Sequence, residues 1–242
     1  MFLNWNIISI ILSNSNEVLS LINIECESLG KFKDFLLLDG FKITEVLSPK
    51  QKIPSNIKNF DAIFILGGPM SVNDTYEYLK KEQQLVADAI NSKIPVLGIC
   101  LGSQIIATSC GGKVYKGLKK EIGWKPVGIT DAGKNTLFRG IDSIKIDVFH
   151  WHGDTFYLPN DAKTLSYSDF YIQAFEYKTA FGIQFHLEVT KQMILEWIKE
   201  YQQEILDEEI DKQDLLFNID NRIKELNKYS KIVYDNFKLL LK

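Results

Sequence analysis

The segment Pro95-Val96-Leu97-Gly98-Ile99-Cys100-Leu101-Gly102-Ser103-Gln104 constrains this chain more than any other. An apolar run meets a glycine, a cysteine and a second glycine, and a helical pattern begins at once. That order predicts a buried strand turning sharply into a helix, the βα unit of a parallel sheet. A side chain at such a turn projects from the carboxyl edge of the sheet, and the small flanking glycines permit the bend. Cys100 also stands at a helix amino terminus, where unpaired N–H groups and the helix dipole favour thiolate over thiol. Taken alone, the turn leaves two readings of Cys100 open: a nucleophile, or a buried small hydrophobe.

The surrounding pattern extends the βα reading. Residues 19–24 and 42–47 read as strands flanking a helix over 31–38, which Asp39-Gly40 ends. Residues 60–66 form a third strand, stopped by Gly67-Gly68-Pro69. Over 78–91 the apolar positions Leu79, Leu85, Val86, Ala89 and Ile90 share one helical face. The helix after Cys100 ends at Gly111-Gly112, a C-cap signal. This alternation predicts an α/β fold with a doubly wound, mostly parallel sheet. From residue 113 to 185 the pattern becomes β-rich, with short runs at 124–130, 144–149, 164–168, 172–177 and 180–185. Beyond Thr190 it is helical, and Leu216, Ile219, Ile223, Leu226, Val233, Phe237 and Leu240 form a stripe interrupted at Ser230. The expected organisation is an N-terminal extension over 1–18, one domain over 19–206 and a helical tail over 207–242. That tail either packs on the domain or docks a partner.

Composition narrows the function classes. A formal net charge of −3 leaves no basic footprint for nucleic acid or an anionic membrane surface. The three cysteines, Cys26, Cys100 and Cys110, are odd in number and lack CxxC spacing, which points to a reducing compartment rather than a disulfide framework. Residues 1–12 are apolar but carry no basic n-region, and they are shorter than the roughly 20 residues needed to cross a bilayer. They read as an added strand, a disordered extension or a start codon assigned too far upstream, and the expected location is cytoplasmic.

With three histidines in the chain, a cysteine–histidine mechanism has few partners to choose from. Gln184-Phe185-His186-Leu187-Glu188 ends a predicted strand with an imidazole and a carboxylate two residues apart, hence on one face. Such a pair lets the carboxylate fix the ring tautomer while the far nitrogen takes a thiol proton; a surface histidine beside an unrelated acid is the alternative. At Gly67-Gly68-Pro69, Pro69 has no N–H, so Gly68 is the backbone donor expected to face an oxyanion, with Leu101 as the second. An ordinary turn is the alternative there. All three pieces fall at strand carboxyl ends, where open α/β sheets place ligands. His150 and His152 flank Trp151, but no acidic or cysteine ligand lies nearby at helical spacing, so no metal site is expected. His152 is expected to orient the neighbouring loop by hydrogen bonds, while Cys26 and Cys110 are expected to be structural.

Gly-Ile-Cys-Leu-Gly-Ser-Gln at 98–104, Gly-Gly-Pro at 67–69 and His-Leu-Glu at 186–188 together resemble the class I, triad-type glutamine amidotransferases. Glu121-Ile122-Gly123-Trp124 and Trp151-His152-Gly153-Asp154 narrow the resemblance to stand-alone proteins similar to the glutaminase domain of GMP synthase. It covers residues 19–195 and implies a flavodoxin-like fold with a β-rich excursion and C-terminal helices. It also implies a Cys100–His186–Glu188 triad that forms a glutamyl thioester, with no cofactor and no metal. Gln104 matches a position that contacts bound glutamine, and the segment carrying Trp151, His152 and Asp154 matches one that holds the substrate's amino-acid end. Trp151 stands where synthetase-linked glutaminases carry a serine. The implied substrate is therefore glutamine or a γ-glutamyl small molecule.

Three functions follow. One is a glutaminase that releases ammonia, on its own or to a separate synthase subunit; the chain has no ATP-pyrophosphatase signature with which to aminate an acceptor. A second is an independent hydrolase of γ-glutamyl peptides or conjugates. The third is a catalytically silent binding or regulatory protein.

Overall fold

A computed structural model describes residues 16–241. Strand β1 (Glu17–Ile22) is followed by α1 (Gly30–Leu38), β2 (Lys42–Leu47), β3 (Ala62–Ile65), α2 (Glu77–Asn91), β4 (Val96–Ile99) and α3 (Leu101–Ser109). Then come β5 (Lys113–Ile129), the short α4 (Asp131–Asn135), β6 (Lys145–Tyr157), β7 (Lys163–Tyr167), β8 (Ile172–Tyr177) and β9 (Ala180–Ile183). Helices α5 (Lys191–Glu200), α6 (Gln202–Asp207), α7 (Lys212–Leu216) and α8 (Ile219–Lys238) complete the described chain. Among the described residues no helix is long and apolar enough to cross a membrane.

One sheet holds the strands in the order β2-β1-β3-β4-β9-β8-β7-β5-β6. From β2 to β9 the neighbours are parallel, and from β9 to β6 they are antiparallel. Strands β3 and β4 are buried along their whole length, as a parallel sheet covered on both faces requires. Alternate residues serve opposite faces. Phe64 and Leu97 join a core with Phe32, Trp197 and Phe237 from α1, α5 and α8. Ile63, Ile65 and Val96 join the other with Leu85, Val86 and Ile105 from α2 and α3. The helix predicted over 78–91 buries Leu79, Leu85, Val86, Ala89 and Ile90, together with Glu82.

The structure corrects several sequence boundaries. Residues 1–15 of the expected extension lie outside the described residues, while Glu17 and Val18 belong to β1, paired with Lys42 and Ile43. At the other end, the Asn23 amide donates to the Leu66 carbonyl, and the chain leaves the sheet two residues earlier than the apolar run suggests. The short runs at 124–130 and 144–149 are parts of two long strands. β5 and β6 pair from Lys113 opposite Tyr157 to Gly128 opposite Lys145, across an irregularity between Lys116 and Glu121. Their interior lysines and glycines mask the alternation from which a long strand is read. β9 is shorter than predicted, ending at Ile183.

The stripe on the C-terminal helix turns inward. Ile219, Leu226, Val233 and Phe237 of α8 are buried, and Phe237 sets its ring edge against Phe64 and Phe181 at centroid distances of 5.5 and 6.2 Å. Ser230, which interrupts the stripe, is also buried; its hydroxyl donates to the carbonyls of Leu187 and Leu226. Truncating Phe237→Ala removes a ring from this shared core and is expected to cost about 3–5 kcal/mol in urea unfolding. A loss below about 1 kcal/mol would mean that α8 lies outside the cooperative core.

Candidate active site

Cys100 closes β4 with φ 51° and ψ −109°, a backbone conformation that costs a non-glycine residue about 1–3 kcal/mol. Its neighbours enforce that shape. A Cβ on Gly98 would overlap the Gly102 carbonyl, and one on Gly102 would overlap the Ile65 carbonyl, so α3 starts in contact with both strands. The Cys100 N–H donates to Ile183 O at 2.8 Å, and its carbonyl accepts the Ser103 hydroxyl at 2.6 Å. The thiol donates to the Trp151 carbonyl at 3.5 Å, and the His186 ring is close enough to pull its pKa down.

His186 lies beyond β9 rather than on it. An isolated antiparallel bridge to Phe149 holds it, with the His186 N–H donating to Phe149 O at 2.8 Å. Its Nδ1 sits 2.6 Å from Glu188 Oε1, and both side chains are buried. The loop is fixed from two sides: the Glu188 carbonyl accepts Lys31 N–H at 2.7 Å from α1, and the Leu187 carbonyl accepts the Ser230 hydroxyl from α8. The structure therefore brings Cys100, His186 and Glu188 into one chain of contacts.

Burial alone would push the His186 ring down, but Glu188 and the bond to Cys100 outweigh it and hold the ring well above the ordinary histidine range. Burial pushes the Cys100 thiol up; the contact with His186 opposes this, and the charges of Glu27 and Glu188 reinforce it, for a net rise. Burial and two nearby carboxylates act against the thiolate that the helix terminus is expected to favour.

Gly67 and Gly68 adjoin the cysteine turn. A Cβ on Gly67 would lie 3.4 Å from Cys100 Cβ, and one on Gly68 would lie 3.3 Å from Leu101 Cδ2, so this turn and the start of α3 adjoin. Gln104 is buried, donating through Nε2 to Gln184 Oε1 at 3.3 Å and to the Asp154 carbonyl at 3.4 Å. Asp154 accepts the Ser71 hydroxyl at 2.7 Å. Trp151 packs its indole on Trp197 and Tyr201 and donates from Nε1 to Glu204 Oε2 at 2.9 Å. Gly68, Cys100, Gln104, Trp151, His152 and Asp154 all line one cavity of about 230 Å³. A larger groove of about 390 Å³ lies between the segment after β2 and the face of α2, away from these residues.

Glu27, Lys120, Tyr201 and Glu204 are among the wall residues with no counterpart in the sequence motifs. Glu27 is buried and accepts the Tyr201 hydroxyl through Oε1 at 2.7 Å. Its Oε2 lies against Gly67, where a Cβ would overlap it. Burial pushes its carboxyl up to about 7, against the opposing pull of His186 and the Tyr201 hydroxyl. The available signal was position alone, since Glu27 follows β1 at the sheet edge that bears Gly67 and Cys100. Neighbouring Cys26 has its sulfur 3.6 Å from the Tyr201 hydroxyl. Cys110, a half-buried residue, caps α3.

The two other histidines have an acidic partner that local spacing does not reveal. Register between β5 and β6 sets Glu121 opposite His152 and Gly123 opposite His150, and Glu121, His150 and His152 offer three ligand atoms within 4.8 Å of one another. Glu121 Oε2 already accepts Gln173 Nε2 at 2.5 Å and lies 3.2 Å from His152 Nε2. His152 Nδ1 is 3.2 Å from the Asp154 carbonyl, so the ring bridges Glu121 and the Asp154 segment. Burial pushes the His150 ring down to about 3, which keeps it neutral.

Residues 39–198 match the family model "Glutamine amidotransferase class-I". The chain is 34% identical over 165 residues to the glutamine amidotransferase-like protein YfeJ of Salmonella typhimurium, covering 65% of this chain and 69% of that protein. It is 36% identical over 142 residues to the glutamine-hydrolyzing GMP synthase of Aliivibrio fischeri, covering 56% of this chain but only 26% of that longer protein. Its fold superposes on the crystal structure of a glutamine amidotransferase from Thermotoga maritima with a TM-score of 0.84 and 32% identity, covering 93% of this chain and 97% of the other. A strained cysteine elbow beside a buried His–Glu pair therefore sits in a chain that belongs to the class-I glutamine amidotransferase family.

Proposed function

We propose that this chain hydrolyses the γ-amide of glutamine or a γ-glutamyl compound through a thioester on Cys100. His186 takes the thiol proton, and Glu188 holds the ring in the tautomer that presents Nε2 to the sulfur. The sulfur adds to the amide carbon, and the N–H groups of Gly68 and Leu101 receive the oxyanion. His186 returns its proton to the departing nitrogen, the C–N bond breaks, and water activated by the same ring cleaves the thioester. Gln104 and the Trp151–Asp154 segment hold the amino-acid end of the substrate, with His152 bracing that segment from Glu121.

The observation that carries this reading is the buried His186–Glu188 pair, Nδ1 to Oε1 at 2.6 Å, three residues beyond the Ile183 carbonyl that fixes the Cys100 turn. Ammonia release from glutamine, and amine release from γ-glutamyl amides, should vanish in Cys100→Ala and fall about 10²–10⁴-fold in His186→Ala. Undiminished turnover in Cys100→Ala would overturn the mechanism.

The protonation of the pair sets a pH dependence. The thiol is held above its ordinary range, so the unreactive thiol persists to higher pH and reactivity toward an alkylating agent rises as pH is raised. Iodoacetamide labelling of Cys100, followed by peptide mass spectrometry, should still be rising above about pH 8.5, where a free cysteine is half ionised. A plateau reached below about pH 7 would contradict this.

A second reading, in which a separate synthase takes the ammonia, draws on the match to GMP synthase. That match covers 26% of the longer protein, and this reading assigns the acceptor chemistry to a partner synthase. Glutamine turnover that rises when such a synthase is added would support it, and unchanged turnover would count against it.

A further inference from the structure

The carboxylate of Glu27 is not used in the steps above, although it is buried beside the sulfur. Its Oε2 occupies the space against Gly67 where a Cβ of that glycine would stand, within reach of Cys100 Cβ. Tyr201 fixes the other oxygen at 2.7 Å, and Tyr201 is packed in turn on Trp151. Glu204 and Asp154 line the same cavity. Lys120, the cation of that wall, is paired with both Glu204 and Glu208 at 2.6 and 3.2 Å. The wall near the sulfur is therefore rich in hydrogen-bond acceptors and short of free positive charge.

An ionised carboxylate only accepts hydrogen bonds. Of the two heteroatoms on a scissile primary or secondary amide, only nitrogen carries hydrogens, and a carboxylate facing the oxygen would oppose the developing oxyanion. His186 must also face the leaving nitrogen to protonate it, and Glu27 lines the cavity that holds Cys100. Resting on the thioester reading above, we infer that Glu27, positioned by Tyr201, forms the leaving-amine subsite and selects γ-glutamyl amides whose amine is ammonia or an uncharged or cationic alkylamine. When the C–S bond forms and the C–N bond breaks, His186 supplies the proton that neutralises the departing nitrogen, and Glu27 accepts the hydrogen bonds of the freed amine. A leaving group that bears its own carboxylate, as in a γ-glutamyl dipeptide, meets like charge at that wall.

The test compares kcat/KM for γ-glutamylmethylamide and γ-glutamylglycine at pH 8.5, where Glu27 is ionised, in the native chain and in Glu27→Gln. The native chain should favour the methylamide by about tenfold or more, and Glu27→Gln should narrow that preference to about threefold or less. Tyr201→Phe, which keeps the carboxylate but releases it, should give an intermediate ratio. A ratio that Glu27→Gln leaves unmoved, with both substrates weakened equally, would overturn the inference and assign Glu27 to the common glutamyl half. If neither amide is turned over, the thioester reading fails, and a second measurement decides the subsite alone. Labelling of Cys100 by cationic bromoethylamine, relative to anionic iodoacetate, should fall about tenfold on Glu27→Gln if the carboxylate faces the sulfur's amine side. No change in that ratio would reject it.

Discussion

The whole site depends on one backbone constraint, the left-handed turn at Cys100. A cysteine tolerates φ 51° only where its surroundings allow no alternative. Here β3 and α3 approach so closely that Gly102 has no room for a side chain beside Ile65, and Gly98 has none beside Gly102. The Ile183 carbonyl of β9 takes the Cys100 N–H. Three elements of the parallel sheet thus fix the direction of one sulfur, and the loop after β9, carrying His186, leaves from the strand that does so. The precision of the site is inherited from sheet packing.

The second determinant is electrostatic. The charges of Glu188 and Glu27 both reach the Cys100 thiol and raise its pKa, and Glu188 raises that of the His186 ring. Glu188 has a directional contact that orients the ring, whereas Glu27 is held by a neutral hydroxyl and faces the cavity. In the proposed mechanism the two carboxylates have distinct work, Glu188 as orienter and Glu27 as an acceptor presented to the ligand. The C-terminal helices serve the same end. Helix α8 anchors the His186 loop through Ser230, and Tyr201 and Glu204 form a wall of the cavity beside Trp151.

The parallel half of the fold was legible because its central strands β3 and β4 are fully buried apolar runs closed by glycine-bearing turns, and those turns carry Gly68 and Cys100. His186 and Glu188 were legible as a pair, although the reason differs. An isolated bridge and two backbone anchors hold them, not the alternation of a strand. Glu27, Tyr201 and Glu204 were illegible because no motif contains them; they meet only when α5 and α6 fold back over the loop after β1. Glu121, legible only as part of the 121–124 segment, was missed as the partner of the two histidines for a related reason. It joins His150 and His152 across two long paired strands whose lysines and glycines conceal their length. Local patterns report local geometry, and the missing residues are those brought together by distant parts of the chain.

The central chemical claim is a covalent glutamyl group on one sulfur. Acid quenching during turnover of glutamine, followed by intact and peptide mass spectrometry, reads it directly. The expected result is a species heavier by one glutamyl group, mapped to the peptide containing Cys100 and released by hydroxylamine. Sustained ammonia release with the adduct on Cys26 or Cys110, or with Cys100 free throughout turnover, would contradict it.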